Sequence, residues 1–496
     1  MRTWGPLTAV CLGTFMLLLD VTIAIVALPD MARALHASLG ELQWVIDGYA
    51  LALAALLLGA GAAADILGRR RVHVAGVVLF AVASLLCGLA SGPGMLVAAR
   101  ALQGVGAAAM LATTLPLLGS VYQGRQRSAA LGVWGAVSGG AAAVGPVLGG
   151  VLTEGPGWRW IFFVNLPVSV ASVWLTLRVV PESRGPRGMT IDWAGTVAFA
   201  CFAGATTYGV VRAGADGWTS AVPAGSFVLA ALALVAFVLV ERRVAHPLLD
   251  LSLLRKPAFV GVMAGALAFN GVAFGVLAYT SIWMQTVLGM SAVRGGLALL
   301  PLTGASVVVA ILAGKLLHGV PAGLTIGGGL LLIGSGTFCQ AVLDAGASWT
   351  ALVPGLVLVG IGTGFVAPAI AGAALAAVPP ERAGMAGGAV NTARQLGYAL
   401  GVAVFGTVLT SRMQDTLSHD AAHTLAGGGA GALRGALSEN TLRAAYAAGL
   451  NSASVAAGVT GVIAGALVLV LVRTPRAVTG RAGAPVEQQP TGAPRG

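Results

Sequence analysis

Gly61-Ala62-Ala63-Ala64-Asp65-Ile66-Leu67-Gly68-Arg69-Arg70-Arg71 is the stretch whose reading decides the fold. It packs an acid, two glycines and three arginines into one turn between apolar runs near 43–64 and 73–91. Runs of that length cross a bilayer as helices, because about 20 mostly apolar residues cover the hydrocarbon core. Asp65 and Arg69 stand four apart and can pair along one helix face. As an exposed salt bridge that pair contributes under about 1 kcal/mol. The functional alternative is a gate, in which charges in a tight turn hold two helix bundles together in one state and release them in another. A weaker version of the turn returns as Gly314-Lys315-Leu316-Leu317-His318-Gly319, again after an apolar run. Paired halves with a midplane site between them are a transporter architecture.

The rest of the chain fits this frame. Of 496 residues, 57% are hydrophobic and 9% charged, whereas a soluble domain is about 25% charged. The chain reads as an all-α integral membrane protein. Its 73 glycines point to tight helix packing, since small residues let helix backbones approach closely in lipid. Fourteen apolar runs are long enough to span. Six lie near 7–29, 43–64, 73–91, 94–119, 129–152 and 160–180. Two follow near 193–212 and 222–240, then six near 257–283, 295–317, 323–342, 351–377, 385–410 and 451–473. The expected organisation is a six-helix bundle over 1–181, two inserted helices over 182–250, and a second bundle over 251–475. A tail, 476–496, is rich in Gly, Pro and Gln and is expected to be disordered. The longest loop is 411–450, where Gly427-Gly428-Gly429 divides one helix-like stretch from a second ending near Ala448.

A net charge of +11 does not imply nucleic acid here. The basic residues fall in short clusters between apolar runs, such as Arg69-Arg70-Arg71 and Arg242-Arg243, the pattern of loops kept on the cytoplasmic side. With fourteen spans, only Arg33, Arg159, Arg212, Arg294, Arg412, Arg434 and Arg443 fall on the opposite side. Both termini are therefore expected in the cytoplasm of a cell that carries this protein in its plasma membrane. The first run contains Asp20 and lacks a small-x-small cleavage site, so it reads as a span and not as a removed signal. Cys11, Cys87, Cys201 and Cys339 lie singly in separate runs, without disulfide or zinc spacing. His419 and His423 lack further ligands, so no metal is expected. No GxxxxGK[ST] loop occurs, which argues against ATP drive. No cofactor is expected, and no set of catalytic residues marks an enzyme.

Asp20, Arg100 and Arg394 lie at membrane depth, and Asp47 lies near the outer end of the second run. Asp20 interrupts Leu17-Leu18-Leu19-Asp20-Val21-Thr22-Ile23, where a carboxylate costs about 2.5–3.5 kcal/mol near the bilayer centre. Such an acid faces a cavity, a partner charge or a proton path. Asp20 reads either as a proton carrier competing with a cationic substrate or as a structural hydrogen-bond acceptor. Asp47, in Trp44-Val45-Ile46-Asp47-Gly48-Tyr49, reads equally as a second acid in the cavity or as an interface residue. Arg100 keeps its proton at any accessible pH and tunes a nearby acid, or else snorkels to the surface. Asn391, Arg394 and Gln395 share one helix face by their spacing. Arg394 steadies the gate, the preferred reading, or meets an anionic substrate group.

At this point a resemblance becomes specific. The 61–71 stretch, with Gly61, Asp65, Gly68, Arg69 and Arg70, resembles motif A of the major facilitator superfamily. Arg100-Ala101-Leu102-Gln103-Gly104-Val105-Gly106-Ala107-Ala108 resembles motif B. Gly132 together with Gly145-Pro146-Val147-Leu148-Gly149-Gly150 resembles motif C, the antiporter signature. Leu19-Asp20-Val21-Thr22 through Ala27-Leu28-Pro29 resembles the first-helix motif of the fourteen-helix drug:proton antiporters. Trp158 through Pro167, Asp192-Trp193-Ala194-Gly195 and Asn391 through Gly397 also fit that family. Ile66, Ile25 and Ala141 depart from the family's usual residues in motif A, the first-helix motif and motif C.

The resemblance implies the major facilitator fold and places Arg100 in proton transfer. It also implies a Gly-rich fifth helix packed hard against the other half and kinked at Pro146. The expected function is proton-coupled efflux of hydrophobic or cationic drugs by alternating access, with protons, a small drug-like substrate and the lipid bilayer as partners. A dedicated exporter of one endogenous metabolite or self-made antibiotic, and a channel or non-transporting sensor, are the alternatives.

Overall fold

A computed structural model describes residues 4–36, 39–185, 192–245, 247–316, 320–379 and 382–472. Among these residues the regular structure is helical throughout. The first group is α1 (Gly5–Leu35), α2 (Leu39–Leu67), α3 (Arg69–Gly88), α4 (Pro93–Val121), α5 (Gly124–Glu154), α6 (Trp160–Phe163) and α7 (Asn165–Val179). Next come α8 (Trp193–Asp216) and α9 (Ala221–Glu241). The last group is α10 (Pro257–Ile282), α11 (Ala292–Ala298), α12 (Leu300–Leu316), α13 (Ala322–Cys339), α14 (Val353–Ala376), α15 (Ala383–Met413), α16 (His419–Ala426), α17 (Ala430–Leu433) and α18 (Glu439–Leu471).

Each of the fourteen apolar runs coincides with a helix or a broken pair of helices. Among the described residues, 11 helical spans, the α6–α7 pair counted as one, are long and apolar enough to cross a membrane. The sixth run is broken between α6 and α7 at Val164. Pro167 explains the break, because it has no N–H to donate to the carbonyl four residues back, that of Phe163. The tenth run divides into α11 and α12 around Leu299.

The loop near 411–450 differs from its expected form. Its second helix-like stretch does not end near Ala448; it is the opening of α18, which runs unbroken from Glu439 to Leu471. Leu425, Ala426 and Ala430 of α16 and α17 are buried in the same core as α10 and α18, so this segment caps the bundle. Leu317-His318-Gly319 of the second polar turn and the tail beyond 472 lie outside the described residues.

Packing divides the helices. Helix α4 lies against α2 and α3, and α1 against α5 and α7. In the second half α10 lies against α15 and α18, α13 against α14 and α18, and α12 against α14. Two seams join the halves: α2 and α4 meet α15, while α5 meets α11, α12 and α14. The α8–α9 hairpin rests on both α2 and α15, where Phe199 and Ala203 share a small core with Leu58 and Ala389.

Candidate functional site

Asp20 is enclosed at the centre of the first half. It is 0% exposed, and Arg100 is 1% exposed. Arg100 Nη1 donates to Asp20 Oδ2 at 2.5 Å. Asp20 Oδ1 accepts from Gln103 Nε2 and from Asn165 Nδ2, each at 2.9 Å. Ser84 Oγ closes the cluster by accepting from Gln103 Nε2 at 2.8 Å. Arg100 Nε donates to the Val45 carbonyl at 3.0 Å, and its guanidinium lies 4.4 Å from the centre of the Tyr49 ring. Helices α4 and α7 thus converge on one carboxylate of α1, with Ser84 of α3 and the Val45 carbonyl of α2 behind them. Arg100 and Gln103 share a face of α4 because they are three apart. Asn165 arrives at the start of α7, just past the break that Pro167 imposes.

This geometry settles where Arg100 goes: it turns inward to Asp20 and does not snorkel. The charges compensate each other, and nearly every oxygen and N–H near them is matched, as a buried pair requires. The sequence reading singled out Asp20 and Arg100 but assigned no role to Ser84, Gln103 or Asn165. The i, i+3 spacing of Arg100 and Gln103 was the one local signal available. Asp47 is partly exposed, and among the described residues no hydrogen bond ties it to this cluster.

The 61–71 turn joins the halves. Asp65 and Arg69 are buried, at 3% and 4% exposure, so they do not form an exposed salt bridge. Arg69 Nε and Nη2 lie 2.9 and 2.8 Å from Asp65 Oδ1. Asp65 Oδ2 accepts from the backbone N–H of Met385 at 3.3 Å. Met385 lies in the first turn of α15, so Asp65 supplies an anion to a helix N-terminus of the opposite half, where the free N–H groups and the helix dipole favour one. The approach is close: a Cβ on Gly61 would stand 2.6 Å from the Gly384 carbonyl oxygen. Gly68 has φ +115°, a conformation that favours glycine. The turn is also tied to the segment after α7. Arg69 N donates to Ser183 O at 2.9 Å, Gly185 N to Asp65 O at 2.6 Å, and Arg70 N to Glu182 Oε1 at 3.0 Å. Gly384, Met385 and Glu182 were not singled out from the sequence.

Helix α5 carries Gly132, Gly145, Pro146, Gly149 and Gly150. It packs on the opposite half, but the tightest of the described glycines faces elsewhere. A Cβ on Gly145 would run into Thr22 Oγ1 of α1, in the same half. Gly135, towards Pro368, and Gly139, towards Ser306, look across the seam.

The three polar residues of α15 separate. Asn391 Nδ2 donates to the Leu111 carbonyl of α4 at 3.1 Å, bridging the halves. Gln395 is partly exposed. Arg394 Nε donates to Asn270 Oδ1 of α10 at 3.2 Å. Its guanidinium lies 5.6 Å from the centre of the Phe269 ring and 5.9 Å from that of Trp134 on α5. Arg394 therefore does not join the gate charges at Asp65; it stands nine residues deeper along α15.

The profile described as Major Facilitator Superfamily matches residues 10–402. The chain belongs to the major facilitator superfamily. It is 36% identical over 412 residues to the multidrug resistance protein Stp of Mycobacterium tuberculosis (strain CDC 1551 / Oshkosh), covering 83% of this chain and 76% of that one. It is 33% identical over 417 residues to the tetracenomycin C resistance and export protein of Streptomyces glaucescens, covering 84% and 77%. A solved structure of the proton:xylose symporter XylE shares the fold, with TM-score 0.64 at 14% identity over 95% of this chain and 96% of the other. This major facilitator is a membrane-embedded transporter whose relatives are drug and antibiotic resistance exporters.

Proposed function

We propose that this transporter expels hydrophobic, drug-like compounds across the plasma membrane in exchange for protons, by alternating access. The observation that carries the reading is the enclosed Asp20–Arg100 pair. A carboxylate at membrane depth that binds a proton loses its attraction for Arg100, and the guanidinium is then free to move. Deprotonation restores the pair. The two forms of Asp20 thereby favour two arrangements of α1, α4 and α7. Inward proton movement down a membrane potential supplies about 2.3 kcal/mol per charge per 100 mV.

The Asp65 contact with α15 is the releasable latch, placed on the cytoplasmic side together with both termini. The bundles that rock are the helices of 1–181 and 251–475, with 182–250 inserted between them. The names of the relatives support export of antibiotics and drugs as the activity.

The test is purified protein in liposomes with an imposed pH gradient and a fluorescent drug inside. Wild-type protein moves drug against its gradient only when protons flow the other way. Asp20→Asn stays folded and abolishes drug-dependent proton flux. Drug export that ignores the pH gradient, or that survives in Asp20→Asn, overturns the reading.

A further inference from the structure

Arg394 is a half-buried cation, and among the described residues no anion faces it. Among the described residues it makes one hydrogen bond, from Nε to the neutral Asn270, and no carboxylate lies within ion-pair reach. It stands nine residues past Met385 on α15, about 14 Å at 1.5 Å per residue. That distance carries it from the latch to roughly the middle of a hydrocarbon core about 30 Å thick. A guanidinium does not escape the expense of that position by losing its proton. Charges at this depth face a cavity or a partner.

Its surroundings hold the charge in place but leave it unanswered. Trp134 and Phe269 are each 1% exposed and stand behind the guanidinium. Trp134 is itself fixed by its Nε1, which donates to Thr14 Oγ1 at 3.2 Å. Arg394 remains partly exposed. Two i, i+4 ladders run away from the latch on neighbouring helices: Arg394 and Tyr398 on α15, Asn270 and Phe274 on α10. Tyr398 and Phe274 are also partly exposed. The next rung beyond the guanidinium therefore offers aromatic surface.

We infer that Arg394 is the anchor for a negatively charged group on the cargo, and that this transporter accepts flat, hydrophobic organic acids. A carboxylate or phenolate takes the paired N–H donors that Arg394 leaves unused, a geometry matched to planar oxyanions. The rings of Tyr398 and Phe274 take the unsaturated body. This inference rests on the export reading for its biological sense and on Arg394 alone for its chemistry.

Two xanthene dyes test it, because they share a ring system and differ in charge: fluorescein is an anion and rhodamine 6G a cation. Binding to protein in nanodiscs is followed by fluorescence polarisation, and folding by size-exclusion profile. Wild-type protein binds fluorescein. Arg394→Gln weakens fluorescein binding at least tenfold and leaves rhodamine 6G within twofold, while Arg394→Lys recovers part of the loss. Fluorescein binding that fails in wild type, or that Arg394→Gln leaves within twofold, overturns the inference. An equal loss for both dyes in a folded variant also overturns it. Arg394-dependent fluorescein binding without proton-driven movement of either dye sinks the export reading and leaves the anion site standing.

Discussion

The two arginines at membrane depth, Arg100 and Arg394, have opposite surroundings. Arg100 is closed in by Asp20, Gln103, the Val45 carbonyl and Tyr49. Arg394 has one amide and two ring faces. The first half thus carries a neutral, internally satisfied pair, and the second carries a net charge. Arg100 is also fully buried while Arg394 keeps part of its surface open. What separates them is whether the counter-charge belongs to the protein or has to arrive. A pair that neutralises itself suits a proton switch, because one proton unbalances it. A lone cation suits a docking point.

The largest effect that would break this comparison is on stability. Arg100→Gln strands Asp20 and should lower unfolding stability by about 3–5 kcal/mol, the usual result of removing one partner from a buried pair. Arg394→Gln removes a charge that nothing balances, and thermal unfolding in detergent should stay level or rise. Equal losses in the two variants would erase the distinction. A double-mutant cycle sharpens it: Asp20→Asn with Arg100→Gln should recover about 0.5–3 kcal/mol relative to the sum of the single changes. A cycle with no coupling energy would mean that the pair is not a unit.

A smaller effect belongs at the latch. Gly61→Val wedges α2 away from Gly384, and overpacking of this kind costs typically about 1–3 kcal/mol. Export should fall several-fold, and a cysteine introduced beside Gly384 should react faster with a water-soluble maleimide. Unchanged labelling would remove that seam from the working cycle.

The smallest effect is expected outside the membrane, at the pair formed by Arg382 and Asp250, 2.7 Å apart. Hydrogen bonding from Ser252, more than the Arg382 charge, holds the Asp250 carboxyl below its usual range. A depressed carboxyl stabilises the fold above its ordinary pKa of about 3.9, and that contribution is lost as pH falls through the lower folded value. The pair is partly solvated, so Asp250→Asn should cost under about 1 kcal/mol near neutral pH. The variant and the wild type should converge in acid below about pH 4; a difference that widened there would reverse the assignment.

The helical scaffold was legible because lipid forces long apolar runs, and each of the fourteen runs proved to be helical. Asp20 and Arg100 stood out because charge is rare at that depth. Their partners did not, for a physical reason. Asn165 reaches Asp20 from another helix, and Ser84 supports it only through Gln103 and Asn165; small polar residues are common enough in membrane helices to carry no signal alone. The Asp65 latch was half visible: its acid and arginine share a helix face, but the donating N–H of Met385 is backbone and leaves no mark in the side-chain alphabet. Arg394 was misplaced for a related reason. Sequence spacing assigns a residue to a face, while its depth relative to the opposite half follows from how α15 is seated against α2 and α4.

The hairpin of α8 and α9 leans on α2 and α15 together, covering one of the two lines along which the bundles meet. An oily compound dissolved in the surrounding leaflet finds that flank walled off. The other line of meeting, where α5 packs on α12, carries no such cover among the described residues, so the extra helices make the two flanks of the molecule unequal towards lipid.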